Sequence, residues 1–191
     1  NIFAGRGPNY VNLVDVSQSS FPNLQTTDGI YVWGETGNDT IWGSAMNDNL
    51  DGGPGADDLY GLLGNDVLWG GLQGSTDGDY LSGGPGLDSL YAGNGDDTLY
   101  GGSGDDVLNG GSGNDDLFLE DGDDVGIGEA GADLIVGGTG NDAILAGDGD
   151  DFVDAGSGYD SVWGEAGNDE IYGGDHDDLM SGGVGNDTVI G

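Results

Sequence analysis

Hydrophobic residues recur at intervals of nine positions through most of this chain. Between Gly34 and Ile190 the sequence divides into seventeen consecutive units, and in all but one the eighth position is an aliphatic residue or Met. These residues are Ile41, Leu50, Leu59, Leu68, Leu81, Leu90, Leu99, Leu108, Leu117, Ile135, Ile144, Val153, Val162, Ile171, Met180 and Val189. One apolar position between two other residues fits a strand of three residues with one inward side chain. The pattern therefore predicts a six-residue turn and a very short strand in every unit.

Strands this short are stable only when they stack on one another. A three-residue strand cannot form a stable hairpin by itself. A turn after each strand reverses the chain, so two units form one coil, and successive coils lie in parallel register. Roughly eight coils at the usual strand spacing of about 4.8 Å predict a rod about 40 Å long.

Two irregularities help to divide the chain. The unit from Gly70 to Ser82 carries four extra residues, which lengthen a turn and leave the later phase unchanged. Before Gly34, residues 26–33 resemble residues 75–82, and residues 4–12 read as a degenerate unit with Asn9 in place of Asp. We therefore expect residues 1–33 to be a degenerate repeat with a loop or cap at 13–24, joined to a solenoid over residues 34–191.

The sixth position of every unit is Asp. The residues are Asp39, Asp48, Asp57, Asp66, Asp79, Asp88, Asp97, Asp106, Asp115, Asp124, Asp133, Asp142, Asp151, Asp160, Asp169, Asp178 and Asp187. Asp is also common in turns for conformational reasons, but Asn would serve equally well there. Alternate units stack, which places Asp39 over Asp57, so a divalent cation between turns would turn repulsion into attraction. Carboxylates and the carbonyls of glycine-rich turns are the oxygen ligands that Ca²⁺ takes.

Composition supports cation binding and argues against several partners. The 191-residue chain has 37 acidic residues against one basic residue, a net charge of −36. Such a chain repels itself unless cations neutralise it, and it is an unfavourable partner for nucleic acid. Without Cys the chain has no thiolate metal ligand. No apolar run approaches the roughly 20 residues of a membrane span, so we expect no membrane insertion.

The unit Gly-Gly-Ser-Gly-Asp-Asp-Val-Leu-Asn at 101–109 resembles the haemolysin-type, or RTX, calcium-binding nonapeptide, and the resemblance extends over residues 34–190. It implies an all-β fold, a right-handed parallel β-roll (β-solenoid) of stacked 18-residue coils with calcium in the turns. The sixth-position carboxylates and backbone carbonyls would be ligands to about 15 Ca²⁺ ions. We expect weaker sites where the turn glycines are replaced, at Met46, Leu62, Leu119, Glu120, Glu129 and His176.

Outward positions offer a second candidate surface. The ninth position on one sheet is predicted to run Trp42, Tyr60, Ser82, Tyr100, Phe118 and Val136, and the other sheet offers Trp69, Tyr91, Ile127, Leu145 and Trp163. Aromatic and β-branched residues also occur on exposed strands simply because they favour strands. The functional alternative is a ligand or partner face formed by Trp42, Tyr60, Tyr100, Trp69, Tyr91 and Trp163, which would contact polysaccharide. Further outward apolar residues, from Val125 to Trp163, suggest lateral packing on another domain or another copy.

The sequence favours a structural role over a catalytic one. His176 is the only histidine and stands in a turn, and no serine lies in a nucleophile-elbow motif. We therefore expect a calcium-binding extender module, not an enzyme, that folds on extracellular calcium and self-associates end to end or laterally. Extracellular modules bind Ca²⁺ at about 10⁻⁴ to 10⁻³ M. The resemblance implies type I secretion and a secreted or cell-surface location.

Overall fold

The computed structural model describes residues 2–3, 5–13, 29–71 and 75–191. The expected loop or cap at 13–24 lies outside these residues except for Leu13, which is buried. Within these residues, twenty strands form two parallel ten-stranded sheets, and odd-numbered strands alternate with even-numbered strands along the chain. No helix among the described residues is long and apolar enough to cross a membrane.

The first sheet contains the odd-numbered strands in order. They are β1 (Ile2–Phe3), β3 (Tyr31–Trp33), β5 (Asn49–Asp51), β7 (Val67–Trp69), β9 (Ser89–Asn94), β11 (Val107–Ser112), β13 (Val125–Ala130), β15 (Ala143–Asp148), β17 (Ser161–Ala166) and β19 (Leu179–Ser181). The pairing of β1 with β3, Ile2 beside Val32, joins the start of the chain to the solenoid.

The second sheet contains the even-numbered strands. They are β2 (Tyr10–Asn12), β4 (Thr40–Trp42), β6 (Asp58–Tyr60), β8 (Tyr80–Pro85), β10 (Thr98–Ser103), β12 (Asp116–Asp121), β14 (Leu134–Thr139), β16 (Phe152–Ser157), β18 (Glu170–Tyr172) and β20 (Thr188–Ile190). Strand β2 pairs with β4, Val11 beside Ile41, so residues 10–12 extend the second sheet.

The predicted parallel β-roll is confirmed, but the prediction of three-residue strands is wrong for its middle. Strands β8 to β17 are six residues long, because the first three positions of the next unit continue the ladder. Gly102 pairs with Glu120 and Ser103 with Asp121, for example. The turn proper is therefore only three residues, and the inter-coil backbone hydrogen bonds of the extended ladder stiffen the rod.

The core between the sheets consists mainly of the eighth-position side chains of both sheets, with Ala92, Leu119, Ala146 and Ala155 from first positions. The eighth-position residues from Ile41 to Ile171 are fully buried, and each buried Leu or Ile contributes about 2 kcal/mol. Val189 in the last coil is 42 % exposed, so it does not share their burial. Gly126, the one eighth position without a side chain, is compensated by Leu119 of the same unit. A Cβ on Gly126 would lie 3.1 Å from both Leu119 methyl carbons.

Candidate metal centre

Every predicted aspartate lies at the edge of the roll, immediately before a strand. Nine precede even-numbered strands and line one edge, and eight precede odd-numbered strands and line the other. From Asp39 to Asp169 these side chains are at most 4 % exposed. Short acidic side chains are rarely buried without a partner, so their environment determines what the edges can bind.

One carboxylate oxygen of each aspartate is held by the backbone. Oδ1 of Asp57 accepts a hydrogen bond from the Asp39 N–H of the preceding coil at 2.6 Å, and Oδ1 of Asp187 accepts one from Asp169 at 3.2 Å. The same contact is made by all seventeen aspartates. The degenerate first unit provides the N–H of Asn9 to Asp39 at 2.7 Å. These bonds fix the orientation of each carboxylate relative to the neighbouring coil.

The second oxygen is buried without a partner in most of these aspartates. Oδ2 lacks a hydrogen-bond partner in fourteen of them, namely Asp39, Asp57, Asp66, Asp88, Asp97, Asp106, Asp115, Asp124, Asp133, Asp142, Asp151, Asp160, Asp169 and Asp178. It packs against the first-position residue of its own unit. A Cβ on Gly110 would lie 2.3 Å from Oδ2 of Asp115. A buried, unpaired carboxylate oxygen is costly unless a cation or proton reaches it.

Burial shifts the carboxylates towards their protonated form. Desolvation is the main cause, and the accepted backbone hydrogen bond opposes it. Nearby carboxylates raise several pKa values further; Asp97 and Asp133 do so for Asp115. The pKa rises to about 8 for Asp66 and Asp79, to about 7 for Asp57, Asp106, Asp115 and Asp142, and to about 6 for Asp88, Asp97, Asp124 and Asp151. A cation beside Oδ2 would reverse this shift.

Side chains alone do not complete a coordination shell. Among the described residues, no group of three or more His, Cys, Asp or Glu side chains could hold a metal ion. Backbone carbonyls of the turns are the available additional oxygens, and glycine at the fourth position allows them to approach. Gly104 has a φ of +123°, and a Cβ there would lie 1.6 Å from the Gly86 carbonyl oxygen of the preceding coil. The donor set is therefore all oxygen, as Ca²⁺ prefers.

Asp48 differs from the other aspartates. Its Oδ2 accepts hydrogen bonds from the Ser44 backbone N–H at 2.6 Å and from the Ser44 hydroxyl at 2.9 Å. Met46 in the same turn is buried. Protein groups thus satisfy the oxygen that is unpaired in fourteen of the other sixteen aspartates. The sequence prediction named Met46 as a weak point of this turn but missed Ser44, which is the residue that closes it.

Most of the predicted weak turns keep the glycine-like backbone. Leu62, Glu120, Glu129 and His176 all have positive φ, between 75° and 89°. Glu35 and Glu165 share this conformation, at 72° and 73°, and the sequence prediction did not name them. Positive φ is unfavourable for residues with a Cβ. Leu119 is different, because it is buried in the core. Oδ2 of Asp124 in the same unit is still unpaired.

A second ladder follows the outside of the turns. The fifth-position side chain accepts the backbone N–H of the fifth position one coil later, as in Asp123 with Asn141 at 2.8 Å and Asn114 with Ala132 at 2.8 Å. Other members are exposed carboxylates or amides at Asn38, Asn47, Asn65, Asp96, Asp105, Asn141, Asp150 and Asn168. The recurrent Asn or Asp at this position was visible in the sequence and could have indicated the ladder.

The outward aromatic residues form the predicted rows. On the second sheet Trp42, Tyr60, Ser82, Tyr100, Phe118 and Val136 are in register. Tyr80, which the sequence prediction did not include, fills the gap at Ser82, with ring centroids 5.5 Å from Tyr60 and 5.6 Å from Tyr100. On the first sheet Trp69 stacks on Tyr91 at 4.3 Å. In the stacked pairs of these rows, each ring therefore has one face covered by its neighbour.

Comparison with known families agrees with this geometry. The family model for the RTX calcium-binding nonapeptide repeat matches residues 33–68, 73–108, 91–126, 127–162 and 160–189. These matches include the turns of all seventeen aspartates and both edges of the roll. A search of curated proteins finds no match. The chain therefore belongs to the family of RTX calcium-binding nonapeptide repeat proteins.

Proposed function

We propose that this chain is a calcium-binding structural module that folds when Ca²⁺ occupies its turns, and that it extends or spaces a secreted or cell-surface protein. The observation that carries the proposal is the row of fourteen buried, unpaired Oδ2 atoms. They are regularly spaced along both edges, beside backbone carbonyls. RTX repeats bind calcium, and the number of unpaired oxygens supports a capacity close to the expected 15 ions.

The sixth-position aspartates would hold the ions, with each Oδ2 as ligand and each Oδ1 held by the backbone of the preceding coil. Bound Ca²⁺ supplies positive charge and oxygen coordination between turns. The first-position glycine leaves space for Oδ2, and the fourth-position carbonyls of neighbouring coils provide further oxygen. Asp48 would be a weak or absent ligand because Ser44 already satisfies its Oδ2.

Folding would be coupled to binding. Without cations the structure confines carboxylates with raised pKa values, in a chain of net charge −36. Self-repulsion favours the expanded chain, and a ligand that binds only the folded state stabilises it. Since extracellular sites bind Ca²⁺ at about 10⁻⁴ to 10⁻³ M, the roll would form outside cells. Secretion by a type I system is an expectation from the family.

A calcium titration followed by circular dichroism tests this proposal. In chelator at pH 7.5 we expect an unfolded spectrum, and millimolar Ca²⁺ should restore the β signal. Mg²⁺ at the same concentration should do much less, because it demands a smaller, near-octahedral shell. A full β signal in excess chelator would contradict the proposal.

Matched variants separate coordination from charge. D115N/D133N replaces buried Oδ2 ligands but retains an oxygen to accept the backbone N–H, and it should need several-fold more Ca²⁺ to fold. D105N/D123N removes the same number of charges from the exposed fifth-position ladder and should change the midpoint little. Equal shifts in the two pairs would show that general electrostatics, not coordination, drives folding.

Polysaccharide binding by the aromatic rows has less support. Trp42 and Tyr60 are stacked with centroids 4.3 Å apart, and Tyr100 and Phe118 with centroids 4.7 Å apart. Sugar rings stack on aromatic faces, and in these pairs the faces already contact each other.

Lateral self-association is better supported on later coils, where Phe152 and Trp163 are 38 % and 39 % exposed. Light scattering in calcium at rising protein concentration would test it.

A further inference from the structure

Outside the calcium-binding edges, an acidic side chain lies between two tryptophans on the outer face of the first sheet. The ladder pairs Trp33 of β3 with Asp51 of β5, and Asp51 with Trp69 of β7. All three are ninth positions and point outward. In the corresponding part of the second sheet, Trp42 contacts Tyr60 directly, which leaves no gap between rings. Here the short Asp51 side chain opens a gap between two large rings.

A hollow of about 100 Å³ occupies this gap. We call it the Trp33–Trp69 cleft. The described residues that line it are Tyr31, Val32, Trp33, Asn49, Leu50, Asp51 and Trp69. Tyr31 and Trp33 are stacked with centroids 6.0 Å apart on one wall. The opposite wall, Trp69, is supported from behind by Tyr91 at 4.3 Å. Neighbouring rings therefore hold both walls in place.

The dimensions of the cleft suit a cation held between aromatic faces. Strands β3 and β7 are two strand spacings apart, about 9.6 Å. A group midway between them lies about 4.8 Å from each wall, inside the roughly 6 Å over which a cation is attracted to a ring. Asp51 supplies a negative charge at the floor. Desolvation raises the pKa of its carboxyl, so a cation that pairs with it would offset part of the cost of burial.

None of the described residues that line this cleft is basic. The single basic residue of the chain is Arg6, which forms a β-bridge with Thr36 in the turn before β2. Arg6 is not among the described residues that line the cleft. Small inorganic ions are strongly hydrated and gain little from aromatic walls, whereas a methylated ammonium group is large, weakly hydrated and cationic. The charge of Asp51 and the aromatic walls of the cleft therefore favour a methylated ammonium cation.

We propose that the Trp33–Trp69 cleft binds a methylated ammonium cation of the choline type, with Trp33 and Trp69 as walls and Asp51 as counter-ion. This site uses none of the sixth-position aspartates, since Asp51 is a ninth-position residue on the sheet face, although the charge of Asp51 raises the pKa of Asp57. It would give the rod a recognition function in addition to its structural one.

The test uses choline chloride as the probe, with the full chain saturated in Ca²⁺ and ionic strength held constant with NaCl. Binding is measured by calorimetry and by quenching of tryptophan fluorescence. The neutral isostere 3,3-dimethylbutan-1-ol has the same shape without the charge. We expect saturable choline binding at millimolar concentrations and at least about tenfold weaker binding of the alcohol.

Two pairs of variants localise the effect. Asp51→Asn should weaken choline binding at least about threefold, and Asp154→Asn should leave it unchanged. Asp154 is the matched control because it is also an outward ninth-position aspartate, but it lies between Val136 and Tyr172. Trp69→Leu should weaken binding about five- to thirtyfold, whereas Trp163→Leu, on the same sheet and outside the cleft, should not.

Circular dichroism in calcium confirms that each variant remains folded before its affinity is compared. The proposal is overturned if choline shows no saturable binding, if the neutral alcohol binds as well as choline, or if Asp154→Asn weakens binding as much as Asp51→Asn. The calcium titration by circular dichroism tests calcium-dependent folding by itself. A negative result for choline binding would therefore leave the proposal of calcium-dependent folding unaffected.

Discussion

Chelation of divalent cations should make the stability of the roll strongly dependent on pH. In the cation-free fold, Asp115 is fully buried and its pKa rises from 3.8 to about 7. Ionising such a group costs the folded state about 4 kcal/mol at pH values above 7. Net stabilities of domains are about 5 to 15 kcal/mol. A few such carboxylates are enough to unfold the cation-free chain.

The cation-free fold should become less stable as pH rises, because the pKa values of its buried carboxyls are raised. Because burial raises the pKa values of these carboxyls in the folded state, that state binds more protons than the unfolded chain between pH 3.8 and about 8. Their contribution to folding is fully present below pH 3.8 and is lost as pH rises through about 6 to 8. In EDTA we therefore expect an unfolded chain at pH 8 and recovery of β structure on acidification to pH 4.5.

The assay is far-ultraviolet circular dichroism in EDTA across this pH range, with light scattering to exclude aggregates. The variant D106N/D115N/D142N removes three buried carboxyls whose pKa is raised to about 7 and should flatten the transition. The variant D105N/D123N/D150N removes three exposed charges and should keep it. A β signal in EDTA that does not change between pH 8 and pH 4.5 would refute the reasoning.

Three further predictions concern single turns and the core. Ser44→Gly removes the hydroxyl bond to Oδ2 of Asp48 and leaves the bond from the backbone N–H of residue 44. It should therefore open that oxygen in part and raise the calcium stoichiometry measured by native mass spectrometry; an unchanged count would contradict the closed-turn interpretation. Leu119→Ala should destabilise the calcium-loaded roll by about 2 to 5 kcal/mol in denaturant melts, because Gly126 opposite it leaves the cavity unfilled. Gly113→Ala should raise the calcium concentration needed for folding, since its φ is +131° and its Cβ would lie 1.8 Å from a carbonyl oxygen of the preceding coil. Calcium titrations by circular dichroism check this last effect.

The sequence predicted the features that repeat and missed those in which two irregular positions compensate each other. A nine-residue period with one apolar position determines which side chains point inward, so the core row and the stacking of Asp39 over Asp57 followed directly. The extension of β8 to β17 was missed because Gly-rich positions have low strand propensity, and only stacking on a neighbouring coil makes them extended. The nine-residue period alone cannot show that Leu119 fills the space at Gly126 or that Tyr80 fills the gap at Ser82.

In the candidate metal centre, too, the sequence predicted the repeated residues and missed the irregular contacts. The sixth position indicated which residues line the edges, but the different environments of their two oxygens depend on distances between coils. Ser44 was missed because its effect is a hydrogen bond to Asp48 within one turn. The cleft around Asp51 was missed because it requires the register of three strands, and the ninth-position residue between Trp33 and Trp69 breaks the aromatic row.

The alternation of successive strands between two sheets constrains how such a chain can change in length. Removing eighteen residues deletes one complete coil and leaves every later residue on its original face. Removing nine would transfer the entire remainder to the opposite face, so Trp163 would move from the row of Trp69 to that of Trp42. Insertions or deletions of eighteen residues therefore preserve the surface chemistry of both sheet faces. Insertion or deletion of an odd number of nine-residue units exchanges the two faces for all later residues.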